Sequence, residues 1–114
     1  MSNKPDVKYA ISNVSRNLDN IVDHLPKIKR LWFRRFYESQ INKMILLFTK
    51  AQSCACPKSK IDAIDKISFA NNSIVNFLMV ASSSEYISFN VTVNANASCS
   101  ELKQQLGIWK KRVS

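Results

Sequence analysis

One glycine, Gly107, and three prolines, Pro5, Pro26 and Pro57, are the only strong turn-formers in 114 residues. An all-β chain of this length needs a tight turn every eight to twelve residues or so, and a single glycine and three prolines leave few signals for such turns. Long helices with few connections are what remain. The apolar residues agree, because they recur in steps of three and four along four separate stretches, the spacing of helices with one buried stripe.

The first stretch, at about residues 5–25, places Val7, Ala10, Ile11, Val14, Leu18, Ile21, Val22 and Leu25 on one face. Pro26 ends it, since the residue before a proline avoids the α region, and the same proline can open the next helix. So short a junction leaves two geometries, an antiparallel hairpin or a kinked continuation. The second stretch, about 27–52, repeats Tyr37, Ile41, Met44, Ile45 and Phe48. Trp109 and Cys99 belong to the last stripe, so both are expected in the core. The third stretch, about 58–82, carries Ile61, Ile64, Ile67, Ala70, Ile74, Phe77, Leu78 and Ala81.

The fourth stretch admits two readings. Ile87, Phe89, Val91 and Val93 alternate as a half-buried strand does. Thr92, Ala95, Cys99, Leu102, Leu106, Trp109 and Val113 instead follow a helical rhythm over six turns, with Ser88 placed as N-cap. A single strand would find no partner in this chain, whereas a helix at about 88–112 completes a set of four. The expected fold is all-α, an antiparallel up-down four-helix bundle formed by a single domain spanning 1–114.

Charge locates the candidate site. The chain carries 17 basic and 8 acidic residues, a net +9, and residues 26–51 hold seven of the basic groups with one acidic group. Clustered positive charge points to a polyanionic partner. Lys27, Lys29, Arg30, Arg34 and Arg35 surround Trp32, Phe33 and Phe36 at the start of the second helix, and Lys110, Lys111 and Arg112 close the fourth. These eight cations are the candidate contacts to nucleic acid or to a protein partner. On a helical wheel Lys27, Arg30 and Arg34 prolong the side of Ile41, Ile45 and Phe48. Aromatic residues beside cations suit either base stacking or a protein interface. Whether the second and fourth helices, taken as antiparallel, carry their clusters to opposite ends or to neighbouring subunits stays open.

Other classes find less support. The one histidine, His24, lies beside the Pro26 junction as a surface or capping side chain, and no nucleophile triad or phosphate loop is present, so no enzyme is expected. Asp62 and Asp65 have the spacing of solvated helix-surface groups. Cys54, Cys56 and Cys99 fit reduced thiols in an intracellular protein and lack zinc-site spacing, so neither a metal nor another cofactor is expected. No apolar run reaches the roughly 20 residues of a membrane span.

Two anchors carry a family resemblance. LPKIKR at 25–30 precedes an amphipathic helix, and Ile87-Ser88 opens a last helix containing Glu101, Leu102, Leu106, Gly107, Trp109 and Lys111. Across residues 25–112 this pattern resembles the accessory variability determinant (Avd) family of diversity-generating retroelements. The chain departs from that family at Thr92, Ala95, Cys99, Lys103 and Ile108, where the family favours an aromatic, leucines and glycines. The resemblance implies a cytoplasmic, bacterial or phage-encoded homo-oligomer, for which the family suggests a pentameric ring. It further implies binding to a reverse transcriptase and to RNA or DNA during mutagenic cDNA synthesis. Two alternatives share the fold class: a ribosomal-RNA-associated bundle, and an oligomeric scaffold that docks an acidic protein.

Overall fold

A computed structural model of the protein describes residues 6–114 as four helices joined by three short connections: α1 (Val7–Val22), α2 (Lys27–Ser53), α3 (Pro57–Ser83) and α4 (Phe89–Val113). The expected start of the first helix at residue 5 lies outside the described residues. α1 opens where the Asp6 carboxylate accepts the Tyr9 amide at 3.1 Å, which satisfies one of the donors that every helix start leaves free. All eight residues of its expected stripe are buried. The helix stops at Val22, three residues before Leu25, because the chain tightens into two successive i to i−3 turns ahead of Pro26. Leu25 stays buried outside the helix.

Pro26 caps α2 with extended backbone (φ −56°, ψ 146°), and the junction is a hairpin. Cys56 and Pro57 form the corresponding start of α3, with the proline in the first turn where its missing N–H leaves no bond unmade. The far end of α3 closes by a left-handed turn. Glu85 adopts φ 61°, its amide donates to Ser82 O at 3.1 Å, and the Tyr86 amide donates to Ala81 O at 2.9 Å. This pair of bonds is the Schellman arrangement, in which glycine is the residue without a steric penalty and a carboxylate also meets the negative end of the helix dipole. Glu85→Gly should therefore stabilise the protein by about 0.5–1 kcal/mol, read as a raised thermal midpoint.

From Phe89 onward the 87–93 segment belongs to α4. Ser88 Oγ accepts the Asn90 amide at 3.2 Å and starts the helix. Of the alternating residues, Ile87 is buried before the helix begins, Phe89 and Val93 point outward, and Val91 is half-buried. Thr92, Ala95, Cys99, Leu102 and Leu106 form the buried face, and Trp109, expected as a core plug, is only half-buried. It meets the edge of Phe48 at 5.6 Å, near the end of the bundle where the helices no longer enclose a side chain completely.

Each helix packs its backbone against its two neighbours in sequence order around a ring, α1 closing on α4, while the diagonal helices have no such backbone approach and α2 meets α4 through the Phe48 and Trp109 side chains. Pairing is antiparallel throughout. Tyr37 donates to Asp19 between α2 and α1, Phe36 stacks on Phe77 between α2 and α3, Lys110 meets Asp65 between α4 and α3, and the Asp6 amide donates to Gln105 at the α1 and α4 contact. These contacts define an up-down four-helix bundle of 45 × 28 × 19 Å, whose long axis fits a 27-residue helix at 1.5 Å per residue. A consequence corrects the sequence expectation: α2 and α4 are diagonal and parallel, not antiparallel.

Candidate nucleic-acid interface

Because α2 and α4 run in the same direction, the eight candidate cations do not form one site. Lys27, Lys29, Arg30, Arg34 and Arg35 lie in the first turns of α2, at the end of the bundle that holds the α3–α4 turn, as the Trp32 contacts to Phe77 and Tyr86 show. Lys110, Lys111 and Arg112 lie at the other end, where Trp109 meets Phe48.

Within the first cluster the cations are not equivalent. Lys29 Nζ sits 4.1 Å from the centroid of the Tyr86 ring, a cation–π contact that ties α2 to the α3–α4 turn. Arg30 Nε donates to Leu25 O at 2.9 Å and so braces the α1–α2 junction. Arg34 approaches Glu38 at 3.9 Å with both side chains more than half exposed, a pairing worth little in water. Lys27 and Arg35 are exposed and have no ion-pair partner among the described residues. At the other end Lys110 is held by Asp65 at 2.8 Å, whereas Lys111 and Arg112 are exposed and unpaired among the described residues. The cations that can meet a phosphate without breaking an internal contact are thus Lys27, Arg35, Lys111 and Arg112, and Arg34 can do so by giving up its weak pairing with Glu38.

The aromatic residues between these cations serve the fold. Phe33 is fully buried, 5.4 Å from Tyr37 and 5.5 Å from Phe77. Phe36 stacks on Phe77 at 4.0 Å and 15°. Trp32 tilts against Phe77 and Tyr86 and keeps 48% of its surface exposed, so it alone of the three offers a ring to a ligand. The buried stripe of α2 is also rotated from the expected one. It runs through Phe33, Tyr37, Ile41, Met44 and Ala51, while Ile45 is 48% exposed and Phe48 half-buried on the shoulder toward α1. Lys27, Arg30 and Arg34 prolong that shoulder, not the core.

Two cations outside the expected set extend the basic surface. Lys43 and Lys50 are exposed on α2, seven residues and about 10 Å apart along one side of the helix, with no ion pair among the described residues. The seven-residue spacing was the sequence signal for them. With Glu38 as its only carboxylate, α2 presents a positive face along its length. Cations exposed in this way attract anions by Coulomb interaction and can donate charge-assisted hydrogen bonds.

Three titratable groups are displaced from their ordinary range. Burial and the hydrogen bond to Asp19 push the Tyr37 hydroxyl up to about 12, so it remains a donor. Burial pushes the Cys99 thiol up to about 12. Cys56, fully exposed at the start of α3, is lowered by hydrogen bonds from the Ser59 amide and hydroxyl and the Lys58 amide. Alkylation should follow that order: Cys56 reacts faster than Cys54, and Cys99 reacts only when the bundle unfolds, as mass spectrometry of iodoacetamide-treated protein will report. For Tyr37 and Cys99 the folded state holds the proton more tightly than the unfolded chain. Their contribution to stability is complete below pH 9 and is lost as pH rises from 9 toward about 12. Among the described residues no three His, Cys, Asp or Glu side chains gather as a metal site.

The fold and this surface define a basic four-helix bundle, and no helix among the described residues is long and apolar enough to cross a membrane. No protein-family model, curated protein or solved structure matches the chain.

Proposed function

We propose that this protein is a nucleic-acid-binding accessory bundle. It holds RNA or DNA by phosphate contacts along α2 and works beside a polymerase, the reverse transcriptase of a diversity-generating retroelement that the sequence resemblance implies, to support mutagenic cDNA synthesis. The observation that carries the reading is the set of exposed cations on α2, Arg35, Lys43 and Lys50 on its outward side and Lys27 and Arg34 on the shoulder toward α1, against a single carboxylate. Contacts of this kind position a polyanion without reading bases, so recognition depends on strand form and shape. Self-association is part of the proposal. Ile28, Leu31 and Leu46 of α2 and Phe69 and Val80 of α3 are each more than half exposed and offer apolar contacts to a second copy.

The test is a salt titration of binding to a structured RNA, a DNA duplex and an RNA/DNA hybrid. Neutralising about five phosphates gives a slope of log affinity against log salt near −4, a loss of roughly a hundredfold or more between 50 and 200 mM. Binding that ignores salt, or no binding to any of the three, overturns the reading in favour of a protein-docking scaffold.

A further inference from the structure

α1 and α2 part along their outer edge and leave a groove of about 720 Å³. Ile11, Ile41, Ile45 and Phe48 supply its apolar surface, and Lys8 and Arg16 stand on the α1 rim. Lys8, Phe48 and Gln52 also line a second hollow of about 540 Å³, which carries the depression to the end of the bundle at Trp109, between Lys60 and Arg112. The α1 rim from Lys8 to Asp19 spans eleven residues, about 17 Å or three helical turns.

The charges around this depression are unbalanced in one direction. Two carboxylates border it, and both are engaged within the fold: Asp19 accepts from the Tyr37 hydroxyl, and Asp6 caps α1 through the Tyr9 amide. Four cations border it, Lys8, Arg16, Lys60 and Arg112, and none of them has an ion pair or a side-chain hydrogen bond among the described residues. An apolar floor between unpaired cations is complementary to a helix with one apolar side and acidic flanks. Nucleic acid does not fit, because a phosphate backbone leaves the floor of Ile11, Ile45 and Phe48 uncovered.

We propose that the α1–α2 groove receives an amphipathic helix of a partner protein, about three turns long, with apolar residues at i, i+3 or i+4, and i+7 and Asp or Glu beside them. This goes beyond nucleic-acid binding and stands apart from it: the groove and the positive face of α2 share no residue, and only Arg112 of the other cluster borders the depression. Selection of a displayed library of twelve-residue helical peptides against the full chain tests it. Enriched peptides should carry the acidic-flanked apolar pattern and bind Ile45→Gln about tenfold more weakly, while nucleic-acid binding by that charge-neutral variant is unchanged. The double variant K8E/R16E should lose the acidic peptides and gain affinity for their Lys-flanked counterparts. No enrichment, enrichment of neutral or basic peptides, or peptides indifferent to Ile45→Gln overturns the proposal. Because peptide and nucleic-acid binding are read separately, either can fail with the other intact.

Discussion

Phe33→Ala should destabilise the bundle by about 3–5 kcal/mol, with a thermal midpoint lowered by roughly 10–30 °C. Phe33 has no exposed surface, and its ring touches Tyr37 on its own helix and Phe77 on α3, so truncation removes apolar burial and aromatic contacts together. The cavity left behind cannot collapse easily, because Phe36 is stacked on the same Phe77 and holds α2 and α3 apart at that level. For a domain with a total stability of about 5–15 kcal/mol the loss is a large share of the whole. The control is Ile28→Ala, five residues earlier on the same helix and 88% exposed in the single chain, which should shift the stability of the monomer by no more than about 0.5 kcal/mol. Calorimetry of both variants checks the pair. A Phe33→Ala protein that melts with the parent would mean that the aromatic cluster is not the structural joint between α2 and α3.

The contrast between these two residues explains what could be read in advance. α1 has a clean division between apolar and polar sides, and every residue assigned to its stripe is buried. α2 does not. Apolar residues lie on its outer face at Ile28, Leu31, Ile45 and Leu46 as well as inside, so the sequence specifies a helix there without fixing which side turns inward. The expected stripe through Ile45 and Phe48 was consequently set toward the α1 shoulder. Trp32, Phe33 and Phe36 looked like a binding surface for a related reason: their partners, Phe77 and Tyr86, lie 40 or more residues away in sequence, and local patterning carries no information about that distance. The helical fate of residues 87–93 was legible only because the rhythm from Thr92 to Val113 outlasts a four-residue alternation. Pro26 marked a break in the chain but not its direction. The hairpin follows from tertiary pairing, visible in the Tyr37 to Asp19 bond, and so does the separation of the two basic clusters to opposite ends.

That separation makes the charge experiment informative about place as well as sign. A triple alanine variant at Lys27, Arg34 and Arg35 should lower nucleic-acid affinity about a hundredfold or more at 100 mM salt and flatten the salt slope from near −4 to near −2, as expected when three of about five phosphate contacts are lost. Lys29 and Arg30 are left in place, because their contacts to the Tyr86 ring and to Leu25 O brace the fold, and their removal would mix stability with binding. The three chosen side chains are exposed, so the variant should melt close to the parent. A Lys111, Arg112 double alanine variant tests the opposite end. If the ligand lies along α2 alone, its slope stays near −4; a slope reduced by about two means that a single ligand spans both ends of the bundle or that neighbouring subunits join them. An α2 variant that binds with the parent's slope would remove the positive face of α2 from the interface. The charge excess of α2 would then have to be explained by an acidic protein docking on that face, a partner separate from the helix proposed for the α1–α2 groove.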